Sequence, residues 1–155
     1  MTLIYSGAIS LGAIADEFGA ARSNVSLRSR SSAAGKGTPD AMSEFYGYTA
    51  PKAAFQHGTT VNGPNQTNSS GTLVTYKSNV LITLKCFGGT GTGAKAYATY
   101  WINGVGTAQT ANAPQYGFQY ATINVASPGS RTAALSIYPG PTGASSSQYA
   151  DVSAS

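Results

Sequence analysis

The stretch Val80-Leu-Ile-Thr-Leu-Lys-Cys-Phe87 decides how this chain is read. Val80, Ile82, Leu84 and Cys86 fall on every second position, the period of a β-strand with one face toward a core. Working outward, the same period runs through Thr72–Tyr76, Ala96–Ile102, Phe118–Val125 and Thr132–Tyr138, and more weakly near Thr59–Val61. Within Ala96–Ile102, Tyr97, Thr99 and Trp101 oppose Ala98, Tyr100 and Ile102. Asn62-Gly63-Pro64, Gly88-Gly-Thr-Gly-Thr-Gly93, Asn103-Gly104, Pro128-Gly129 and Pro139-Gly-Pro-Thr-Gly143 supply turn chemistry between these runs.

Short strands at this spacing predict a mainly β chain folded as an antiparallel β-sandwich, immunoglobulin-like or related. The separation of Cys86 and Trp101 is similar to that of the first core cysteine and the core tryptophan in immunoglobulin-like domains, although the second cysteine has no counterpart. Trp101 is accordingly expected inside, against the Val80, Ile82, Leu84 and Cys86 face. The tail from Gly140 to Ser155 is small and polar and is expected to be flexible, fraying or wrapping onto another subunit.

The N-terminal third has a different pattern. Ser10 is a helix N-cap followed by Leu11, Ile14 and Phe18 at helical spacing, and Gly19 is a left-handed stop. Ile9 before the cap and Ile14 inside it suit a hydrophobic staple. A second short helix is predicted from Pro39 or Asp40, with Met42, Phe45 and Tyr46 on one side and Gly47 as its stop. Residues 20–38 read as an extended or loosely ordered connector with Val25 and Leu27 as its large apolar anchors. The chain thus divides into an N-terminal segment, 1–54, with two short helices, and a β-sandwich module, 55–155. Helices this short are not stable alone, so their apolar faces are expected to dock elsewhere.

Composition narrows the function. Charged residues make up 9% of the 155 residues, against roughly 25% in ordinary domains, and no Asp or Glu lies between Phe45 and Ala150. With one His57 and one Cys86, that stretch lacks the groups of a Ser-His-Asp triad, a paired-carboxylate glycosidase or an oxygen-rich calcium loop. No enzyme, cofactor or metal site is expected. Gly88–Gly93 is a loose match to a phosphate cradle without a following helix, and reads as a flexible hairpin loop.

The +4 net charge sits on residues 49–155, where Lys52, Lys77, Lys85, Lys95 and Arg131 face Asp151 alone. Tyr97, Tyr100, Trp101, Tyr116, Phe118 and Tyr120 are the richest aromatic concentration, which invites a glycan or single-stranded nucleic-acid reading. Alternation on strands buries half of such residues, and nucleic acid is not the expected partner. No stretch has the length of a membrane span or the form of a signal peptide, so no membrane insertion is expected, and the chain is expected to stay in a cell or to leave it by another route, such as lysis.

Ser6-Gly-Ala-Ile-Ser-Leu-Gly-Ala-Ile-Ala-Asp-Glu-Phe-Gly19, Asn24-Val-Ser-Leu27 and Ala41-Met-Ser-Glu-Phe-Tyr-Gly-Tyr48, in that order, resemble an N-terminal signature of virion structural proteins of tailed and marine bacteriophages. In those proteins such elements precede a variable β module. The resemblance covers the first third of the chain. It implies a virion component of the tail, fibre or capsid-decoration kind, released by lysis and surrounded by other virion proteins, as a homo-oligomer within a particle. Ile9, Leu11, Ile14, Phe18, Met42, Phe45, Tyr46 and Tyr48 would then carry assembly and attachment. Lys77, Lys85, Lys95 and Arg131 are candidates for surface contact, with a host-surface glycan as one ligand. The alternative is an adhesion or carbohydrate-binding module of a bacterial surface protein.

Overall fold

The structure is a computed structural model that describes residues 3, 8–20, 22–23, 25–36, 41–49, 51–63, 65–140 and 147–155. The chain forms two compact units, Met1–Pro51 and Lys52–Ser155.

The larger unit is an antiparallel β-sandwich. Its strands are β1 (Ala53–Gln56), β2 (Thr60–Gly63), β3 (Thr67–Thr75), β4 (Val80–Phe87), β5 (Ala96–Ile102), β6 (Gly106–Gln109), β7 (Phe118–Val125), β8 (Gly129–Pro139) and β9 (Gln148–Ala154). A five-stranded sheet runs β1-β3-β8-β5-β6 and a four-stranded sheet runs β2-β9-β4-β7. The alternation read in the sequence sets their inner faces. Val80, Ile82, Leu84 and Cys86 from β4 meet Ala98, Tyr100 and Ile102 from β5 and Ala133, Leu135 and Ile137 from β8 in one core. Tyr100 is the largest fully buried side chain.

Trp101 is not part of that core. It lies one residue past Tyr100, so the strand period turns it to the outer face of the five-stranded sheet, where it is 42% exposed. The cysteine–tryptophan core pair of immunoglobulin-like domains has no equivalent here. Of the tail expected to be flexible, residues 141–146 lie outside the described residues, and the rest is not loose. Gln148–Ala154 is an interior strand, paired with β2 on one side and β4 on the other, and Gln148, Ala150 and Val152 are buried. The Gly88–Gly93 segment joins β4 to β5 and therefore crosses between sheets instead of closing a hairpin. It is pinned: the Gln115 side chain accepts from the Gly93 N–H at 3.3 Å and donates to the Thr90 carbonyl at 3.2 Å. Gly88 passes so close to the Pro114 and Ala113 carbonyls that no Cβ would fit there.

A polar cluster is built into one end of the core. His57 Nδ1 lies 3.4 Å from the Thr72 carbonyl, which can only accept, so Nδ1 carries the proton and Nε2 accepts from the Tyr100 hydroxyl at 3.1 Å. Burial holds the His57 pKa below its ordinary value, with the Thr72 bond opposing it, and burial pushes the Tyr100 hydroxyl up. The unfolded chain therefore takes up the His57 proton first as pH falls. Stability is full above the unfolded pKa of about 6.5 and declines through the folded pKa. Thermal melts between pH 7.5 and 5 are expected to show this decline, and His57→Gln should flatten it; an unchanged slope in that variant would assign the effect elsewhere.

The smaller unit has its own core. Helix α1 (Leu11–Glu17) is capped by the Ser10 hydroxyl, which accepts from the Ala13 N–H at 3.1 Å, and it ends before Gly19 at φ +64°. Helix α2 (Leu27–Ala33) is capped in the same way by Ser26, which accepts from the Ser29 N–H at 3.3 Å. This helix replaces the connector expected over residues 20–38. The second predicted helix shrinks to a 3₁₀ turn, Met42–Phe45, and its proposed start at Pro39 or Asp40 lies outside the described residues.

Candidate functional site

The assembly residues read from the sequence are brought together, but mostly inward. Leu3, Ile14, Phe18 and Phe45 are buried in one cluster, with Ile9, Met42 and Tyr48 packed against it. The Phe18 ring stacks on Tyr48 at 5.5 Å and meets Phe45 edge-on at 6.4 Å. Arg30 from α2 lies 5.8 Å from the Phe18 ring and Lys36 lies 5.7 Å from that of Tyr48. Ser31, fully buried, donates to Glu44, whose carboxylate also accepts from the Ala41 N–H, tying α2 to the 3₁₀ turn. The expectation that these helices carry large hydrophobes outward fails for Ile14, Phe18 and Phe45, because three short elements cover one another. Leu11 is half-buried, and Tyr46, at 40% exposure, is the large apolar side chain this unit displays most openly among the described residues.

Sequence reasoning missed α2, although the signal was present. Ile9-Ser10-Leu11 and Val25-Ser26-Leu27 share the pattern of a β-branched aliphatic residue, Ser and Leu, and in both the serine is the N-cap and the leucine the first helical residue.

The four surface cations do not form one patch. Lys77 lies between β3 and β4 and Arg131 near the start of β8, at the same end of the sandwich, whereas Lys95 precedes β5 at the other end. Arg131 faces inward at that end and is held by Thr75 Oγ1 at 3.2 Å and by the Ser127 carbonyl and hydroxyl, each at 3.0 Å. Lys85 stands on the outer face of the four-stranded sheet. Its ammonium sits 4.3 Å from the Phe118 ring centroid and 5.6 Å from that of Tyr149, a cation–π arrangement.

That face gathers the aromatic side chains. Phe87, Phe118 and Tyr149 form one ring cluster with centroids 5.0 to 6.4 Å apart, and Tyr120 beside Lys85 is 59% exposed. The outer face of the five-stranded sheet carries Trp101 and the stacked pair Tyr97–Tyr138, centroids 4.7 Å apart. Of the aromatic concentration seen in the sequence, Tyr100 alone is fully buried.

Among the described residues no three His, Cys, Asp or Glu side chains gather as a metal site, and no helix is long and apolar enough to cross a membrane. Cys86 is buried, and burial pushes its thiol up to about 11 against a weaker opposing hydrogen bond with Thr110, so the reactive thiolate is disfavoured. The chain matches no protein-family profile, no curated protein and no solved structure.

Proposed function

We propose that this chain is a non-enzymatic structural subunit of a bacteriophage virion, in the tail, a fibre or the capsid decoration, attached through residues 1–51 and displaying the β-sandwich. One observation carries the reading. The letters by which the N-terminal segment resembles virion proteins, the two capping serines, Ile14, Phe18, Glu44, Phe45 and Tyr48, are the ones that build that segment's own core. A motif that encodes a small folding unit is what a reusable attachment element in front of variable β modules requires. Attachment then rests with the side chains left at its surface, Leu11 and Tyr46 first, and with the exposed parts of Ile9, Met42 and Tyr48.

The sandwich has its own core, so a chain lacking residues 1–51 is expected to fold and to be absent from purified particles, while the full chain is present at a fixed, symmetry-related copy number. Normal incorporation of the truncated chain would sink the proposal. A second reading, an adhesion or carbohydrate-binding module, is favoured by one feature, the exposure of Trp101 on an open sheet face. Trp101 is the sole tryptophan, so glycan titrations of the free protein that shift its emission would favour that reading.

A further inference from the structure

We infer that β7 is an assembly edge, and that its occupant is β7 of a second copy, paired antiparallel across a two-fold axis. A sandwich of two open sheets has four edge strands, here β1, β6, β2 and β7. Three are four residues long, the short edges by which proteins avoid unwanted pairing. β7 is eight residues long, pairs in unbroken register with β4, and contains no proline and no charged residue. Among the described residues it has no second strand neighbour.

The side chains point to a missing neighbour as well. On the inner face, Ile82 and Leu84 of β4 are fully buried, yet their register partners on β7, Ile123 and Ala121, are only half-buried. On the outer face, Phe118 and Tyr120 are 41% and 59% exposed. The core is therefore only half covered at Ala121 and Ile123, although Val125 at the end of the strand is fully buried, and one more strand would cover both faces there.

A second copy fits that position. Antiparallel pairing sets inward residues opposite inward ones when Ala121 lies on the axis. Gln119 then faces Ile123 inside, while Phe118 faces Asn124 and Tyr120 faces Thr122 outside. No like charges meet. The nearest cation, Lys85, lies one strand in, so the two copies of Lys85 stand about 14 Å apart or more, beyond the screening length of about 8 Å. Each molecule has one such long edge, so pairing closes at two copies and does not propagate.

The test is sedimentation velocity of the full chain across a concentration series, with the doubly substituted Tyr120→Lys, Thr122→Lys protein beside it. Both positions are exposed, and lysines there meet their own kind across the axis. The natural chain is expected to dimerise, and the variant to raise the dissociation constant by at least about tenfold. Dimerisation of equal strength in the variant would overturn the proposal. Should the variant fold poorly, amide hydrogen exchange of residues 118–125 in the natural chain decides. Protection that rises with concentration supports pairing, and protection independent of concentration overturns it. A chain that stays monomeric while these amides become protected only inside particles would assign the edge to another protein and likewise overturn pairing between copies.

Discussion

Tyr100→Ala is expected to cost about 3–5 kcal/mol, enough to unfold much of a domain whose total stability is about 5–15 kcal/mol, whereas Trp101→Ala should change stability by about 1 kcal/mol or less. The two side chains are neighbours in sequence and similar in size, and they differ in which side of β5 they occupy. Tyr100 is fully buried, makes ring contacts with Phe55 and His57, and gives its hydroxyl to His57 Nε2. Truncation empties a large core site and strands the imidazole acceptor. Trp101 sits on the outer face opposite Thr107 on β6 and Ala134 on β8, both small, so its removal leaves no cavity. Chemical denaturation of both variants measures the difference, and equal losses would show that the indole is packed as tightly as the phenol. Tyr100→Phe isolates the hydroxyl and should cost about 1 kcal/mol.

A chain ending at residue 147 is expected to lose its cooperative unfolding transition altogether. The deleted strand β9 is hydrogen-bonded on both sides, so its removal strips β2 of its strand partner and leaves one edge of β4 bare. It also removes Ala150 and Val152 from the core, together with Gln148, whose side-chain amide donates to the Gly88 and Lys95 carbonyls at 3.3 and 3.0 Å. Those carbonyls would be left without that donor where the β4–β5 crossover enters the core. Near-ultraviolet circular dichroism and a thermal melt check this; a sigmoidal transition close to that of the full chain would show β9 to be dispensable.

Legibility in the sequence followed side-chain size. β4, β5 and β7 were readable to the residue because Val, Ile, Leu, Phe and Tyr alternate in them over seven or eight positions. β9 was hidden because its inward positions are Gln148, Ala150, Val152 and Ala154, three of them too small or too polar to register as a hydrophobic face. Its burial comes from the strands on either side. β1 and β6, at four residues each, are too short to show a period and exist because a neighbouring strand offers them a ladder. Which face of β5 would be inside was ambiguous, since aromatics occupy both, and the rule that tryptophan is a core residue pointed the wrong way. At the N-terminus the apolar spacing located α1 and the Met42–Phe45 turn, but α2 is Ser/Arg-rich and is held by its cap and by Glu44 more than by an apolar stripe. As for the surface sites, composition shows that cations are in excess, and only the strand order shows that Lys77, Lys95 and Lys85 point to three different regions.

The pairing of β2 with β9 also sets the order in which the sandwich can form. Val61 stands opposite Ala150, so this ladder closes a loop that spans most of the module, while the β5–β6 ladder, Ile102 opposite Gly106, closes almost at once. Loop-closure entropy makes the local hairpin fast and the long-range pair slow. Until β9 arrives, the edge of β4 away from β7 is bare, and a nascent chain passes through a state with both margins of one sheet open to strangers. How quickly residues 148–154 are captured therefore sets how long those margins stay open, which gives this modest, alanine-rich segment a kinetic importance out of proportion to the area it covers.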